Sequence, residues 1–157
     1  MTSAAIRWGW GSIGIFAAAL VMTSAAISTS THAADVTLDY EFFKARVQPI
    51  FLTKRDNHVR CYVCHSEATN AFKLVHMEKG QTVYTEEDTR KNFETVSRLI
   101  MPGEPMKSML LTRPLAPEHG GHPYHSGGRQ FASRNTPEWK TLEQFAKGAK
   151  SAKLSAK

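Results

Sequence analysis

Five consecutive residues carry the most specific chemistry in the chain: Cys61-Tyr62-Val63-Cys64-His65. Two thiols three positions apart, with an imidazole directly after the second, form C-x-x-C-H, the attachment signature of a c-type haem. The thiols add across the haem vinyl groups and become thioethers. The two residues between them let both sulfurs reach one macrocycle from the first turn of a helix, and the imidazole is then held under the iron as proximal ligand. These are the only two cysteines among the 157 residues. Blander chemistry fits less well. A disulfide between Cys61 and Cys64 would close a very small, strained loop. A thioredoxin-like pair needs a βαβ setting. A zinc site needs four ligands, and there is no second Cys/His pair at finger spacing.

An iron held by His65 calls for a sixth ligand, and the chain offers two groups. Met101, Met106 and Met109 lie on one side of a long loop; His119, His122 and His125 lie further along. Met101 ends a helical stretch and Met109 opens an apolar run, where methionine is usually core filler. Met106, between Pro105 and Lys107, stays an open alternative. His119 and His122 flank glycines and read as exposed, whereas His125 stands nearest to Gly127-Gly128. His76 and Met77 follow His65 too closely to reach the opposite face of a haem, and His58 reads as a solvated loop histidine. Arg113 and Arg129 are candidates for pairing with haem propionates. Trp139 reads as core.

Helices must position these groups. Asp39 is placed to cap a helix to about Leu52, with Phe43, Val47, Ile50 and Phe51 on one face. Pro49 should bend or loosen it near its end. Thr53 to Arg60 reads as a charged loop, C-x-x-C-H as the start of a short helix, and Ala71 to Gly80 as a loop with Phe72 and Leu74 turned inward. Thr85 caps a helix whose first turn holds Glu86, Glu87 and Asp88, where the dipole favours acids. That helix runs to about Ile100, buries Phe93, Val96 and Ile100 with Leu99 beside them, and stops at Pro102-Gly103. Ser108 is placed to cap Met109 to Leu111. Ala116 to Arg134 is rich in Gly, Pro and His and has no period. Loops of such length are usually functional or disordered, and this one reads as a lid whose glycines let the backbone lie close to a flat ligand. Thr136-Pro137 opens the last helix, Trp139, Leu142, Phe145 and Ala146 face inward, and Gly148 ends it.

The length suits one domain with a modest core. Residues 1–33 read as an export signal, with Arg7 at its start, a mostly apolar stretch from Ile13 to Ile27, and a cut after Ala33. A retained anchor competes, since Trp8 to Ile27 nearly spans a bilayer, but the Gly, Ser and Thr content favours cleavage. Arg7 is the only charge in residues 1–33, so the formal net charge of +6 becomes +5 on cleavage. A moderate positive charge favours acidic protein partners, steered at long range and sensitive to salt. The scatter of the basic residues argues against nucleic acid. Residues 149–157 read as a disordered basic tail, which leaves 34–148 as the domain.

The order helix, C-x-x-C-H, helix, long loop, terminal helix resembles a single-haem cytochrome c domain, and more narrowly the planctomycete-type cytochrome c domains. The resemblance covers nearly all of the chain after the export signal. It rests on Phe42-Phe43 with Val47-Gln48-Pro49-Ile50, on Cys61 to His65, and on Pro102-Gly103-Glu104-Pro105 running into Leu110-Leu111. It continues in Arg113-Pro114-Leu115, in His125-Ser126-Gly127-Gly128-Arg129-Gln130-Phe131 and in Pro137-Glu138-Trp139. Family members usually carry glycine where Ser126 stands. The resemblance implies an all-α, cytochrome c-like domain wrapped around one covalently bound haem c, anchored at Cys61 and Cys64, with a long Gly/His-rich loop before the C-terminal helix. It also points to His125 as the distal iron ligand opposite His65. The expected function is that of a periplasmic mono-haem one-electron carrier rather than an enzyme, with redox proteins bearing acidic docking surfaces as partners. An export signal agrees with that, because such haems are attached outside the cytoplasm. Two alternatives remain. One is a haem enzyme or gas or redox sensor with a displaceable sixth ligand, in which His119 or His122 serves as a distal acid–base group. The other is an electron-transfer subunit of a larger redox complex.

Overall fold

The structure is a computed structural model that describes residues 36–151. The expected export signal, its cleavage point and residues 152–157 lie outside them. Among the described residues the fold is helical, with two isolated β-bridges, Arg55 to His58 and Leu115 to Phe131, and no strand. No described helix is long and apolar enough to cross a membrane.

The first helix, α1, spans residues 40–52 and changes pitch in the middle. It is α-helical over Tyr40–Phe42, π-helical over Phe43–Val47 and α-helical again over Gln48–Leu52. Asp39 caps it, its carboxylate accepting the Phe42 N–H at 2.7 Å. The widened turn directly precedes Pro49, which brings no N–H and whose ring crowds the carbonyl four residues back, so the helix opens by one residue to accommodate it. Phe42, Phe43, Val47, Ile50 and Phe51 are all buried.

The haem-type motif is itself a short helix, α2, Cys61–His65. Helix α3, Glu86–Ser97, starts as expected: the Thr85 hydroxyl accepts the Asp88 N–H at 3.1 Å, and Glu86, Glu87 and Asp88 fill the first turn. Helix α4, Met109–Thr112, is a single turn. Ser108 stands at its N-terminus but does not cap it, because its hydroxyl is engaged in the preceding turn by Met101 and Glu104. Helix α5, Pro137–Ala146, likewise begins at Thr136 without a side-chain cap, since that hydroxyl donates to the Ser133 carbonyl at 3.0 Å. At its end Gly148, at φ +77°, lets its own N–H and that of Ala149 return to Phe145 and Gln144, which satisfies carbonyls the helix would leave bare. Of the residues expected in the tail, Ala149 packs against the core and Lys150 bonds Thr37.

The core lies among α1, α3 and α5. Phe43 is its centre, with ring centroids 5.4 Å from Phe93 and 5.9 Å from Phe145. Trp139 is buried and donates its indole N–H to the Leu111 carbonyl. Each fully buried side chain of this kind contributes about 1.5–3 kcal/mol. One buried group has no signature in the apolar pattern. Asn92 of α3 accepts the Val75 N–H and donates to Gln48, which also bonds Thr89. This network pins the loop after α2 to both α1 and α3.

Candidate functional site

Cys61, Cys64 and His65 stand on the wall of one cavity of ≈ 650 Å³. Ile50 and Phe51 of α1, Leu99, Leu110, Leu142 and Phe131 provide apolar wall, and Tyr124, His125 and Gly127 close it from the long loop. Both cysteines are free thiols. Burial pushes the Cys61 thiol up, against a smaller downward pull from the Arg55 guanidinium, so it stays protonated.

His65 is fixed from one side of its ring. Its Nδ1 lies 2.7 Å from the Phe72 carbonyl, and the Phe72 ring packs on the imidazole with centroids 4.2 Å apart. A carbonyl can only accept, so Nδ1 carries the proton and Nε2 is left as a lone pair. The Phe72 carbonyl is positioned by a second bond nearby, from the Leu74 N–H back to the His65 carbonyl at 2.8 Å. Burial lowers the pKa of His65, the Phe72 carbonyl opposes that and His125 adds to it. The ring is thus held neutral, the form that ligates metals.

His125 repeats the arrangement. Its Nδ1 lies 2.6 Å from the Gly128 carbonyl, so its Nε2 is also free. The two ring centroids lie 6.4 Å apart, with planes 27° from parallel. An imidazole nitrogen sits roughly 1 Å from the ring centre and binds a metal at about 2 Å, so two imidazoles on opposite sides of one ion hold their centroids about 6 Å apart. Among the described residues no group of three or more His, Cys, Asp or Glu could hold a metal. Two imidazoles alone would leave the remaining positions around an ion to a ligand that brings its own donors.

The other candidates are distributed differently. Met101, Met106 and Met109 are all exposed rather than core filler; they flank the knot at Ser108, where the backbone and not the side chain is held. Met106 and His119 line a separate cleft against Trp139 and Lys140. Met109, set aside on sequence, is the methionine on the wall of the His65 cavity. His122 is exposed and lies 3.2 Å from Arg113. Arg113 lines the cavity, whereas Arg129 pairs with Glu118 at 3.8 Å. His76 Nδ1 lies 2.6 Å from the carboxylate of Glu67, itself on the cavity wall.

His58 is not the solvated loop histidine expected. Its Nε2 lies 2.8 Å from the Arg129 carbonyl. Beside it Arg55 reaches Gln130. Sequence reasoning missed Arg55 and Gln130 altogether, because a lone arginine in a charged loop carries no local mark of a distant partner. No family model, curated protein or solved structure matches the chain.

Proposed function

We propose that the chain is a mono-haem c-type cytochrome, exported from the cytoplasm, that carries single electrons between proteins. Cys61 and Cys64 would carry the haem, and His65 and His125 would hold its iron. The observation that carries this reading is the imidazole pair, with centroids 6.4 Å apart and both Nε2 atoms free, in one cavity with both thiols. The residues fit such a group: two imidazoles with free Nε2 atoms, two thiols and apolar walls line one cavity. When bound, the haem would supply a one-electron couple at its iron.

The protein's own part follows from its residues. His65 and His125 each have Nδ1 tied to a backbone carbonyl, so neither ring has freedom to turn. Phe51, Phe72, Leu99 and Phe131 give the cavity apolar wall. Two imidazoles lack the thioether sulfur that raises a haem potential, so a lower potential is expected than for methionine–histidine ligation. At the cavity mouth Val59, Met109 and Tyr124 expose apolar surface. Arg60 and Arg113 add positive charge there, which suits an acidic redox partner.

The test is spectroscopic. Protein purified from a host able to mature cytochromes should be red and one tetrapyrrole heavier than its processed polypeptide. Its ferric paramagnetic resonance spectrum should be low spin, with the signature of two imidazoles. His125→Ala should convert it to high spin. A colourless folded product refutes the haem, a far-red methionine–iron band refutes His125, and high-spin wild-type protein favours an enzyme or sensor with an open sixth site.

A further inference from the structure

We infer that Arg55 and His58, in the turn just before the C-x-x-C-H helix, are positioning residues for His125: they clasp the loop that carries it and tie the distal imidazole to the proximal side of the cavity. The inference rests on the proposed role of His125 as an iron ligand.

The turn is well defined. Arg55 and His58 bridge each other, the His58 N–H donates to the Arg55 carbonyl at 3.2 Å, and Asn57 between them takes φ 58°. From this turn the Arg55 fork donates to the Gln130 backbone carbonyl at 3.1 Å and to its side-chain oxygen at 2.8 Å. The guanidinium also lies 5.0 Å from the centre of the Phe131 ring. His58 Nε2 lies 2.8 Å from the next carbonyl back, that of Arg129, and its Nδ1 2.6 Å from the Asp56 carbonyl; the Nε2–H tautomer donates to Arg129.

Within the loop, Gln130 Nε2 donates to the Gly127 carbonyl at 2.9 Å and His125 Nδ1 meets that of Gly128 at 2.6 Å. Every carbonyl from Gly127 to Gln130 therefore lies within hydrogen-bond distance of a side-chain nitrogen. Two of the four are held from the Arg55–His58 turn, and a third by a glutamine that Arg55 itself fixes. The loop's other edge is sewn to Pro114 and Ala116 by backbone bonds. The stretch has no helix or strand of its own, so these two edges set where the His125 ring stands. Gln130 is buried, which shields the charge-assisted Arg55 bonds from water and strengthens them. His58 stands three residues before Cys61, so the clasp joins the anchor of one face to the ligand of the other.

The experiment uses matured holoprotein: wild type, Arg55→Ala, His58→Ala, the double variant, the conservative Arg55→Lys, and His125→Ala as reference. The probe is carbon monoxide added to the reduced protein. A second readout is hydrogen exchange of amides 125–131 against those of α3. The double variant should keep its covalent haem and its far-ultraviolet circular dichroism. It should bind carbon monoxide at least about tenfold faster than wild type, with Arg55→Lys between, as expected when charge-assisted bonds holding a competing ligand are lost. The loop amides should lose protection while α3 keeps it. Wild-type kinetics in the double variant, alongside fast binding in His125→Ala, overturn the clasp and leave the ligand assignment standing. His125→Ala indistinguishable from wild type overturns both. Should the double variant fail to mature, His58→Ala, which removes one bond, decides by the same two readouts: unchanged loop exchange and unchanged kinetics overturn the clasp.

Discussion

His65 and His125 each give one ring nitrogen to a backbone carbonyl, and the free nitrogen of each follows from that choice. The carbonyl for His125 is supplied by Gly128, whose φ of +77° would strain any side chain. Gly128→Ala should cost about 1–2 kcal/mol, the left-handed penalty for a residue with a Cβ. In holoprotein it should also shift the low-spin resonance signal by moving the carbonyl on which His125 rests. Gly127 matters for space: a Cβ there would sit 3.3 Å from Cε1 of His125. Gly121 is a stricter case, since a Cβ would fall 1.9 Å from the Leu115 carbonyl oxygen. Gly121→Ala should therefore destabilise by about 3 kcal/mol or more, at the upper end of overpacking losses, read from urea unfolding.

Elements are joined here by buried polar bonds as well as by apolar faces. Asn92 is fully buried and ties α3 to α1 and to the loop that orients His65. Asn92→Leu would leave the Val75 N–H and one Gln48 atom without partners, and should cost about 2–4 kcal/mol, seen as a lower urea midpoint at unchanged slope. Helix α5 carries an acid-sensitive link. Lys147 at 2.7 Å, and more weakly Lys140 at 3.0 Å, hold the Glu143 carboxyl below the usual carboxylate range against the effect of burial. The native state then binds that proton more weakly than the unfolded chain. Its stabilising contribution is complete above the unfolded glutamate value of about 4.3 and is lost as pH falls below it through the native value. Glu143→Gln should flatten the acid limb of the stability profile at that end while leaving neutral stability lower.

Among the described residues, the cavity of His65 and His125 shares its wall with the apolar core at Ile50, Phe51, Leu99, Leu110, Phe131 and Leu142. A domain of this size closes only a modest core, and ≈ 650 Å³ among Phe51, Leu99, Leu110, Phe131 and Leu142 is a large share of it. On the proposed function, a Cys61→Ala/Cys64→Ala variant should emerge from the same host without covalent haem. It should melt at a lower temperature than holoprotein, since the apolar burial of the macrocycle and its iron ligation by His125, which only the folded chain provides, would be lost. Equal melting temperatures would count against a structural role for the cofactor.

Features set within a few residues were legible in the sequence. The C-x-x-C-H spacing, the caps at Asp39 and Thr85, the loosening of α1 before Pro49 and the stop at Gly148 each depend on near neighbours alone. Tertiary structure decided what depends on the path of a loop. It brought His125 rather than Met106 to the cavity that holds His65, placed Met109 on the cavity wall, and turned His58 and Arg55 toward carbonyls far along the chain. It also drew the Ser108 and Thr136 hydroxyls away from the helices they precede, and buried Asn92. The physical reason is the same throughout. A proline ring or a positive φ acts on the adjacent backbone whatever surrounds it, whereas an imidazole, a hydroxyl or a guanidinium has several possible partners, and only the packed chain selects among them.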